Sequence, residues 1–252
     1  MILNKVTIVG AGLIGSSIGR GLAEHVGSIH YIDHDRGSDT DFKDADLIVI
    51  ATPVLTIPEI FKRAKSYLTE HTLLMDVGST KTFVLEQAKI ILAEHYSNFV
   101  GCHPIAGKET SGFAAGEASL FQNKPVILTP SADTAPEAFN TIKTLWTALG
   151  AEVTEMKAEA HDLAFAKYSH LANLLSFILK HQEEHSPQLS TRLQPPSFKD
   201  MTRLSASSRV MWWDICQSNH TAILEALSQF EQDFSRLKKA IEEKDKNIFL
   251  KF

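Results

Sequence analysis

The chain has 252 residues, a length that suits one large domain or two modest ones. Apolar residues make up 44% and charged residues 22% of it, which is ordinary for a globular protein in water. The formal net charge is −5 and there is no basic run, which argues against nucleic acid or a membrane surface as a partner.

Cysteine content and the N-terminus bear on the compartment. Only Cys102 and Cys216 occur, so a disulfide framework is not expected and the cytoplasm is the default location. The opening MILNKVTIVG runs into a glycine loop rather than a cleavage site, and no apolar run is long enough for a transmembrane helix. Cys102 precedes His103, but adjacent strand residues face opposite sides, which favours a buried apolar role for Cys102 over a thiolate–imidazole pair.

Strand-like and helix-like segments alternate up to about Met156. Strands are predicted at KVTIVG, SIHYID, DLIVIATP, TLLMDVGS, NFVGCH, PVILTP and AEVTEM. Helices are predicted at SSIGRGLAEHV, IPEIFKRAKSYL, TFVLEQAKIILAEHY and APEAFNTIKTLWTALG. This alternation predicts βαβ units on a mostly parallel sheet, so residues 1–156 are expected to form a Rossmann-like α/β domain.

Strand signals stop after Met156, and residues 157–252 are expected to form an all-helical domain. A long helix is predicted at AEAHDLAFAKYSHLANLLSFILKHQ, and the Pro/Ser-rich HSPQLSTRLQPPSF is predicted to be a loop. Helices follow at DMTRLSASS, VMWWDICQS and TAILEALSQFEQDFSRLKKAIEEKDKN. The last helix has an apolar stripe, which faces either a partner subunit or its own chain; its members are Ile223, Leu224, Leu227, Phe230, Phe234 and Leu237.

The segment GAGLIG places Gly10, Gly12 and Gly15 between the first strand and the first helix. In that context the first glycine permits a tight turn, the second lets the backbone approach a pyrophosphate, and the third lets helix and strand pack closely. The phosphates would bind the N–H groups at the helix N-terminus, near Leu13 and Ile14. The pattern predicts a dinucleotide site; the alternative is a helix-capping turn without a ligand.

The next strand ends at Asp33, where an acid accepts a hydrogen bond from a ribose 2′-hydroxyl and repels a 2′-phosphate. NAD is therefore favoured over NADP, although Arg36 lies near enough in sequence to contact a 2′-phosphate. Thr52 and Pro53 end the following strand and are expected to border the same cofactor. Only HDRGSDTDFKDA separates Asp33 from that strand, too little for another crossover, so the sheet is expected to lack one strand of the usual first half.

Two later strands end in polar motifs, DVGSTK and GCHPIAG. Ligands of open α/β sheets bind outside the carboxyl ends of strands, so Ser79, Lys81 and His103 are expected to border the nicotinamide. The helical part supplies FKDMTRLSASSRVMWWDI, in which Arg203 and Arg209 are the evident anchors for an anion.

The ordered set GAGLIGSS, DVGSTK, HPIAG, AEAHD…SHL and FKDMTR…MWWDI resembles the prephenate/arogenate (cyclohexadienyl) dehydrogenase family of tyrosine biosynthesis. The resemblance spans nearly the whole chain. It implies an NAD-binding domain followed by a helical domain that binds substrate and forms a homodimer. It also implies NAD-dependent oxidative decarboxylation of prephenate to 4-hydroxyphenylpyruvate, or of arogenate to tyrosine.

The resemblance also implies roles for single residues. The catalytic histidine falls on His103, the assisting serine on Ser79, and the carboxylate-binding arginine on Arg203. Lys81 is a further candidate for the same anionic pocket. His161, Asp162 and His170 are left open between the cleft and ordinary packing or ion pairing, and the remaining histidines show no ligand spacing, so no metal is predicted.

The chain departs from the family pattern at three places. Asn173 stands where many members have a second histidine, Ser207-Ser208-Arg209 replaces the usual SDP, and Trp213 replaces an arginine. These departures affect the expected substrate preference. They also motivate a reading of another class, a catalytically impaired nucleotide-binding regulatory module. Other small NAD(P) oxidoreductases are disfavoured because they lack the HPIAG and DMTR pair.

Overall fold

The computed structural model describes residues 3–108, 110–186 and 194–252. The chain divides into two compact units, Met1–Asp162 and Leu163–Phe252. The division falls shortly after the boundary expected at Met156. His161 and Asp162 lie in the first helix after Met156, but they hydrogen-bond to His103 and Lys81 and so belong to the first unit.

A seven-stranded sheet forms the centre of the first unit, with the order β2-β1-β3-β4-β5-β6-β7. Its first five strands are parallel, β6 is antiparallel to β5, and β7 is parallel to β6. The predicted, mostly parallel sheet is therefore confirmed. The strands are β1 Lys5–Val9, β2 Ser28–Ile32, β3 Leu47–Ile50, β4 Leu73–Asp76, β5 Phe99–Pro104, β6 Pro125–Thr129 and β7 Glu152–Glu155.

Four helices cover the two faces of this sheet: α1 Leu13–Leu22, α2 Ile57–Lys65, α3 Thr82–Leu92 and α4 Pro136–Ala148. The strand LIVI shows why both faces need cover, since all four residues are buried. Leu47 and Val49 belong to a cluster that includes residues of α1 and α4, whereas Ile48 and Ile50 belong to one that includes residues of α2 and α3. Side chains alternate between the faces of a strand, so a continuous apolar run serves two cores.

The connection from β2 to β3, described throughout, contains no strand. A short 3-10 turn, Asp39–Phe42, takes its place, and β2 is the edge strand of the sheet. Phe42 is fully buried in this turn, and Arg63 of α2 forms an ion pair with Asp39. The shortened first half predicted from the spacing is therefore present.

The helical part of the chain consists of α5 Ala158–Phe165, α6 Leu171–Glu184, α7 Pro196–Thr202, α8 Arg209–Ser218, α9 His220–Glu242 and α10 Lys246–Phe249. A single long helix was predicted where α5 and α6 lie. One π-helical turn, Ala166–His170, separates these two helices. Of the predicted loop HSPQLSTRLQPPSF, residues 187–193 lie outside the described residues, and its last residues begin α7. Within the described chain no helix combines the length and apolar character needed to cross a membrane.

The second unit has a small core of its own around Trp212, Ile215 and Ile223. Some residues of the apolar stripe of α9 pack in this core, and others are exposed. Ile223 and Leu227 pack in this core, whereas Leu224 and Phe234 are 59% and 58% exposed. Part of the stripe is therefore explained by packing within the chain, Phe230 and Leu237 are half-buried, and only Leu224 and Phe234 of the six are exposed.

Candidate active site

The carboxyl ends of the five parallel strands place the predicted unit 1 residues along one edge of the sheet. In spatial order the edge carries Asp33 after β2, Gly10 after β1, Thr52 after β3, Ser79 after β4 and His103 near the end of β5. Four strand spacings of about 4.8 Å make this row roughly 19 Å long. Strand order reverses between β1 and β3, which is where open α/β sheets bind their ligands.

The three glycines of GAGLIG have different surroundings. Gly10 has φ +93°, and a Cβ there would lie 2.4 Å from the carbonyl oxygen of Ala51. A Cβ on Gly15 would lie 2.0 Å from the carbonyl oxygen of Gly10. A Cβ on Gly12 would have no neighbour within 4 Å. Gly10 and Gly15 are therefore required by the fold itself, whereas Gly12 leaves open space at the mouth of the loop.

The N-terminus of α1 faces that space. Gly12 is the N-cap residue, no side chain caps the helix, and its first turn has no acidic residue. The N–H groups of Leu13 and Ile14 therefore have no carboxylate or hydroxyl competing for them at the positive end of the helix dipole. The open Gly12 and the uncapped helix end together fit the pyrophosphate of a dinucleotide.

Asp33 lies on the β2 side of the glycine loop. We call the loop of residues 10–15, the N-terminus of α1 and Asp33 together the cradle. One carboxylate oxygen accepts the N–H of Ala11 at 2.6 Å, and the other accepts the N–H of His34 at 2.7 Å. Partial burial works to raise the pKa of Asp33, but the hydrogen bonds from His34 and Ala11 outweigh it, and the net pKa is lowered. Asp33 is thus ionised at neutral pH, as a residue that accepts from a ribose hydroxyl must be.

Arg36 is the residue near Asp33 that could contact the 2′-phosphate of NADP. Its guanidinium donates two hydrogen bonds to the Asp35 carboxylate and stacks 4.6 Å from the ring centre of Phe113. These contacts already occupy the guanidinium, which favours the Asp33 prediction. Asp33, His34 and Asp35 could offer three ligand atoms to a cation, but the group is largely exposed and its carboxylates have partners.

Thr52 and Pro53 follow β3 directly, beside the glycine loop. The Thr52 hydroxyl accepts a hydrogen bond from the Thr56 hydroxyl at 2.9 Å, and the Pro53 carbonyl accepts one from the same hydroxyl at 2.7 Å. A Cβ on Gly10 would lie 3.1 Å from the Thr52 methyl group. Both residues are thus held at the position where a cofactor in the loop would border them.

Lys81 has a different environment from the one predicted. Its side chain is fully buried, and its ammonium donates to the Asp76 carboxylate and, at 2.7 Å, to the carbonyl of Cys102. Burial raises the pKa of Asp76, opposed by Lys81 and by N–H bonds from Gly78 and Cys102. A lysine with no exposed surface cannot contact the substrate, so the prediction that Lys81 lines the anionic pocket does not fit the structure. Lys81 instead ties the end of β4 to β5.

Ser79 lies in the loop that this ion pair secures. Before it, the N–H of Gly78 donates to the Asp76 carboxylate at 2.7 Å; after it, the N–H of Lys81 donates to the Asp162 carboxylate at 2.8 Å. Ser79 itself is half-buried. The loop is therefore anchored on both sides of the predicted serine, at the carboxyl end of the strand next to β5.

His103 is bonded to two residues that sequence reasoning had left open. Its Nδ1 lies 2.8 Å from Nε2 of His161, and Nδ1 of His161 lies 2.8 Å from Oδ1 of Asp162. The Asp162 carboxylate also accepts the N–H groups of Lys81 and Thr82, at 2.8 and 2.9 Å. His161 and Asp162 are buried, and His103 is 9% exposed. The two neighbours in the AEAHD motif thus form a hydrogen-bonded chain behind the predicted base.

The ionisation of this chain follows from its surroundings. Burial lowers the pKa of His161, against the opposing effect of Asp162, so its imidazole is neutral near pH 7. Burial works to raise the pKa of Asp162, but hydrogen bonds from His161, Thr82 and Lys81 outweigh it and lower that pKa. The chain therefore consists of a carboxylate, a neutral imidazole and His103.

Cys102 shares β5 with His103 but lies on its other face. The thiol is fully buried, and burial raises its pKa to about 12. A nucleophilic cysteine requires a thiolate, which a pKa in that range excludes near neutral pH. Cys102 is a packing residue, as the alternation of strand faces predicts.

Arg203 belongs to the second unit, where it begins the short turn Arg203–Ala206 after α7. The residue is exposed, and within the described part of the chain no carboxylate pairs with it. Arg209, the other candidate, is also exposed and stacks 4.8 Å from the ring centre of Phe177. An unpaired guanidinium is suited to a carboxylate ligand, so Arg203 remains the stronger candidate.

Asn173 and His170 are buried in the same unit. Nδ2 of Asn173 donates to the Ser207 hydroxyl at 3.3 Å, and its Oδ1 has no hydrogen-bond partner among the described residues. His170 ends the π-helical turn and lies 3.4 Å from the amide nitrogen of Asn219. The departure from the family pattern at Asn173 therefore contacts the second departure, at Ser207.

Comparison with known proteins gives matches along nearly the whole chain. Residues 9–155 match the family model described as prephenate dehydrogenase, nucleotide-binding domain. Residues 157–252 match the model described as prephenate dehydrogenase, dimerization domain.

Two relatives and one solved structure illustrate the likeness. A prephenate dehydrogenase of Bacillus subtilis is 35% identical over 83% of this chain; the match covers only 58% of that protein. A cyclohexadienyl dehydrogenase of Zymomonas mobilis is 30% identical over 99% of this chain and 92% of its own length. The structure of prephenate dehydrogenase from A. aeolicus with hydroxyphenyl propionate and NAD+ superposes with a TM-score of 0.91, at 30% identity, over 100% of this chain and 95% of that one.

Proposed function

The chain belongs to the prephenate dehydrogenase family, and from that premise we propose that it converts prephenate to 4-hydroxyphenylpyruvate by NAD-dependent oxidative decarboxylation. The observation that carries the proposal is the row of residues along the carboxyl edge of the sheet. A cradle for a dinucleotide occupies one end of that row, and a histidine with an ordered hydrogen-bonded chain behind it occupies the other.

NAD would be held by the residues of the cradle. Gly10, Gly12 and Gly15 shape the loop, and the N–H groups near Leu13 and Ile14 would bind the pyrophosphate. Asp33 would accept from the ribose, and Thr52 and Pro53 would border the cofactor after β3. When bound, NAD supplies the acceptor for the hydride that the substrate loses.

The substrate ring carries a hydroxyl on the carbon that loses hydride and a carboxylate on the opposite carbon. His103 would accept the hydroxyl proton as that carbon becomes a carbonyl carbon, and loss of carbon dioxide then makes the ring aromatic. Histidine suits that proton because the imidazole of a model peptide has a pKa near 6.5, and general base catalysis is typically worth about 10² to 10⁴ in rate. Ser79 would orient the imidazole or share the hydroxyl, and Arg203 would bind a carboxylate of the substrate.

Arogenate is the second candidate substrate. The Zymomonas mobilis relative is named a cyclohexadienyl dehydrogenase, a name that does not single out prephenate. Prephenate and arogenate differ only in the side chain, where one has a keto oxygen and the other an amine. The ring chemistry assigned to His103 is the same for both.

The proposal is tested by mixing the protein with NAD and either substrate and following NADH absorbance. We expect NADH to form with at least one of them, and the ratio of kcat/KM values then decides the preference. Tight NAD binding without turnover of either substrate would contradict the proposal and favour the reading as an impaired regulatory module.

We further propose that the chain forms a homodimer through its helical unit. The matched family model is described as a dimerization domain. Large apolar side chains lie exposed on that unit, among them Tyr168 at 85%, Val210 at 75% and Trp213 at 63%. Exposed apolar side chains of this size are candidates for a subunit interface. Sedimentation velocity should give the mass of two chains at micromolar concentration, and a single-chain mass would contradict the dimer.

A cytoplasmic location also belongs to this proposal. It is supported by the two free cysteines, Cys102 and Cys216, since thiols stay reduced in that compartment.

A further inference from the structure

We propose that His161 and Asp162 are positioning residues that fix the tautomer of His103, so that its Nδ1 carries the proton and its Nε2 is the base. The inference rests on the proposed function only for the identity of the reaction. The hydrogen-bonded chain itself is a property of the folded protein.

Asp162 is the end of the hydrogen-bonded chain, and its surroundings favour the carboxylate. Its carboxylate accepts from the backbone N–H of Lys81 and of Thr82, at 2.8 and 2.9 Å, and a backbone N–H can only donate. Both groups lie at the start of α3, where the helix dipole also favours a negative charge. Both oxygens accept hydrogen bonds, and these bonds lower the pKa of Asp162, so it is a carboxylate near pH 7.

The next link is His161. Its Nδ1 lies 2.8 Å from the same carboxylate, so this nitrogen must be the donor. A neutral imidazole has one N–H, and burial lowers the pKa of His161 enough to keep it neutral. The charges that act on this imidazole are Asp162, Lys81 and Asp76, of which Lys81 opposes the two acids. Nε2 of His161 therefore carries a lone pair.

That lone pair decides the state of His103. Its Nδ1 lies 2.8 Å from Nε2 of His161 and must donate to it. Neutral His103 consequently has its lone pair on Nε2. The order of donors runs in one direction from His103 to Asp162, and reversing it would require a protonated Asp162 that donates to His161, against the hydrogen bonds that lower the pKa of Asp162.

The proton balance of the proposed reaction fits this order. The substrate O–H bond breaks and an N–H bond forms at Nε2 of His103, while the electrons of the C–H bond leave as hydride to NAD. The electrons of the bond to carbon dioxide pass into the ring, and the proton on Nε2 returns to the phenol oxygen. In between, His103 is an imidazolium, and the carboxylate of Asp162 stabilises its charge through His161.

Burial distinguishes this chain from an ordinary ion pair. His161 and the Asp162 carboxylate are removed from water, and a buried carboxylate destabilises the fold unless its hydrogen bonds are made. His30 and Asp41 form the matched case, a histidine and a carboxylate 3.3 Å apart in the same unit but partly exposed. That pair has no reacting group behind it and serves as the control.

The test is Asp162→Asn, which keeps the size but replaces one acceptor by a donor. If the amide nitrogen faces His161, the histidine must present Nε2–H to His103, and His103 is driven to the wrong tautomer. Nitrogen-15 NMR of the protein without ligands, with the His103 signals assigned from His103→Asn, should show Nδ1 protonated in the parent and Nε2 protonated in Asp162→Asn. A parent protein with Nε2 protonated would overturn the proposal.

Kinetics give the second readout. We expect Asp162→Asn to lower kcat by about 10² or more while the KM for substrate and the Kd for NAD change little. His161→Gln keeps an acceptor for Nδ1–H of His103, so it should retain the parent tautomer and a larger part of kcat. The control His30→Gln should leave both readouts at the parent values. An unchanged kcat in Asp162→Asn would overturn the proposal.

The two proposals fail differently. If the parent turns over neither prephenate nor arogenate, the proposed function fails, and the NMR tautomer still tests the chain from His103 to Asp162. If Asp162→Asn does not fold, the tautomer in the parent and in His161→Gln decides. If the parent turns over substrate but its tautomer is wrong, only the positioning role is lost.

Discussion

Cys102 and His103 are neighbours in one strand, yet their surroundings give them opposite chemistry. The thiol faces the core, where burial raises its pKa to about 12, and the imidazole faces His161 and the edge of the sheet. The same contrast separates Lys81 from Ser79, since one is fully buried and the other half-buried in a single loop. At the scale of the residue, position relative to the sheet decides function more than residue type does.

Asp33 gives a prediction at this scale. Asp33→Asn keeps an oxygen for the N–H of Ala11 but removes the charge that repels a 2′-phosphate. We expect the preference for NAD over NADP, as the ratio of kcat/KM values, to fall about tenfold, the equivalent of about 1.4 kcal/mol. Asp133→Asn is the matched control, because Asp133 is exposed and paired with Lys89, and it follows β6 rather than β1 or β2. Equal ratios for the parent and Asp33→Asn would remove Asp33 from the ribose site.

How far single residues could be predicted depends on whether their role is local. Gly10, Asp33 and His103 follow strands directly, so the strand pattern alone brings them to one edge. The partnership of His103 with His161 could not be predicted, because it joins a strand to a helix far along the chain through tertiary packing. Lys81 was misassigned because lysine is seldom fully buried, and only the folded structure reveals Asp76 beside it.

The sequence predicts which strands and helices are present better than it predicts the residues at which they begin and end. Every predicted strand is present, because continuous or alternating apolar runs distinguish strands well. Helix α1 begins at Leu13, before the predicted SSIGRGLAEHV, because Gly12 serves as its N-cap. Helix α3 ends at Leu92, where Ala93 takes φ +52°. The π-helical turn was not predicted, since one wider turn leaves the helical periodicity of the flanking residues almost unchanged.

The glycine loop gives a prediction at the scale of the element. Gly12→Ala adds a Cβ to open space at φ −72°, so the free energy of unfolding should change little, while NAD affinity should fall because the Cβ occupies the pyrophosphate position. Gly10→Ala places its Cβ 2.4 Å from a carbonyl oxygen at a positive φ, so it should destabilise the fold itself. Urea denaturation and NAD titration separate the two effects. A Gly12→Ala protein that binds NAD as the parent does would contradict the proposed cradle.

At the scale of the whole molecule, the two compact units correspond to the two family models matched by the chain. The composition argues against partners such as nucleic acid. The ordered motifs identified the family, but the choice between prephenate and arogenate depends on a few groups around the substrate side chain. Asn173 and Ser207, where the chain departs from the pattern, contact each other in the second unit. Because these two side chains bond to each other, their residue types alone do not predict the preference between prephenate and arogenate.

The central claim is that one edge of the sheet binds NAD and that His103, at its far end, is the base. The most direct measurement compares the parent with His103→Asn in a rapid-mixing assay of NADH formation from NAD and prephenate, with arogenate in parallel, alongside a titration of NAD binding. We predict that kcat falls by about 10² to 10⁴ while the Kd for NAD stays within about twofold. A His103→Asn protein that keeps the parent kcat would contradict the account.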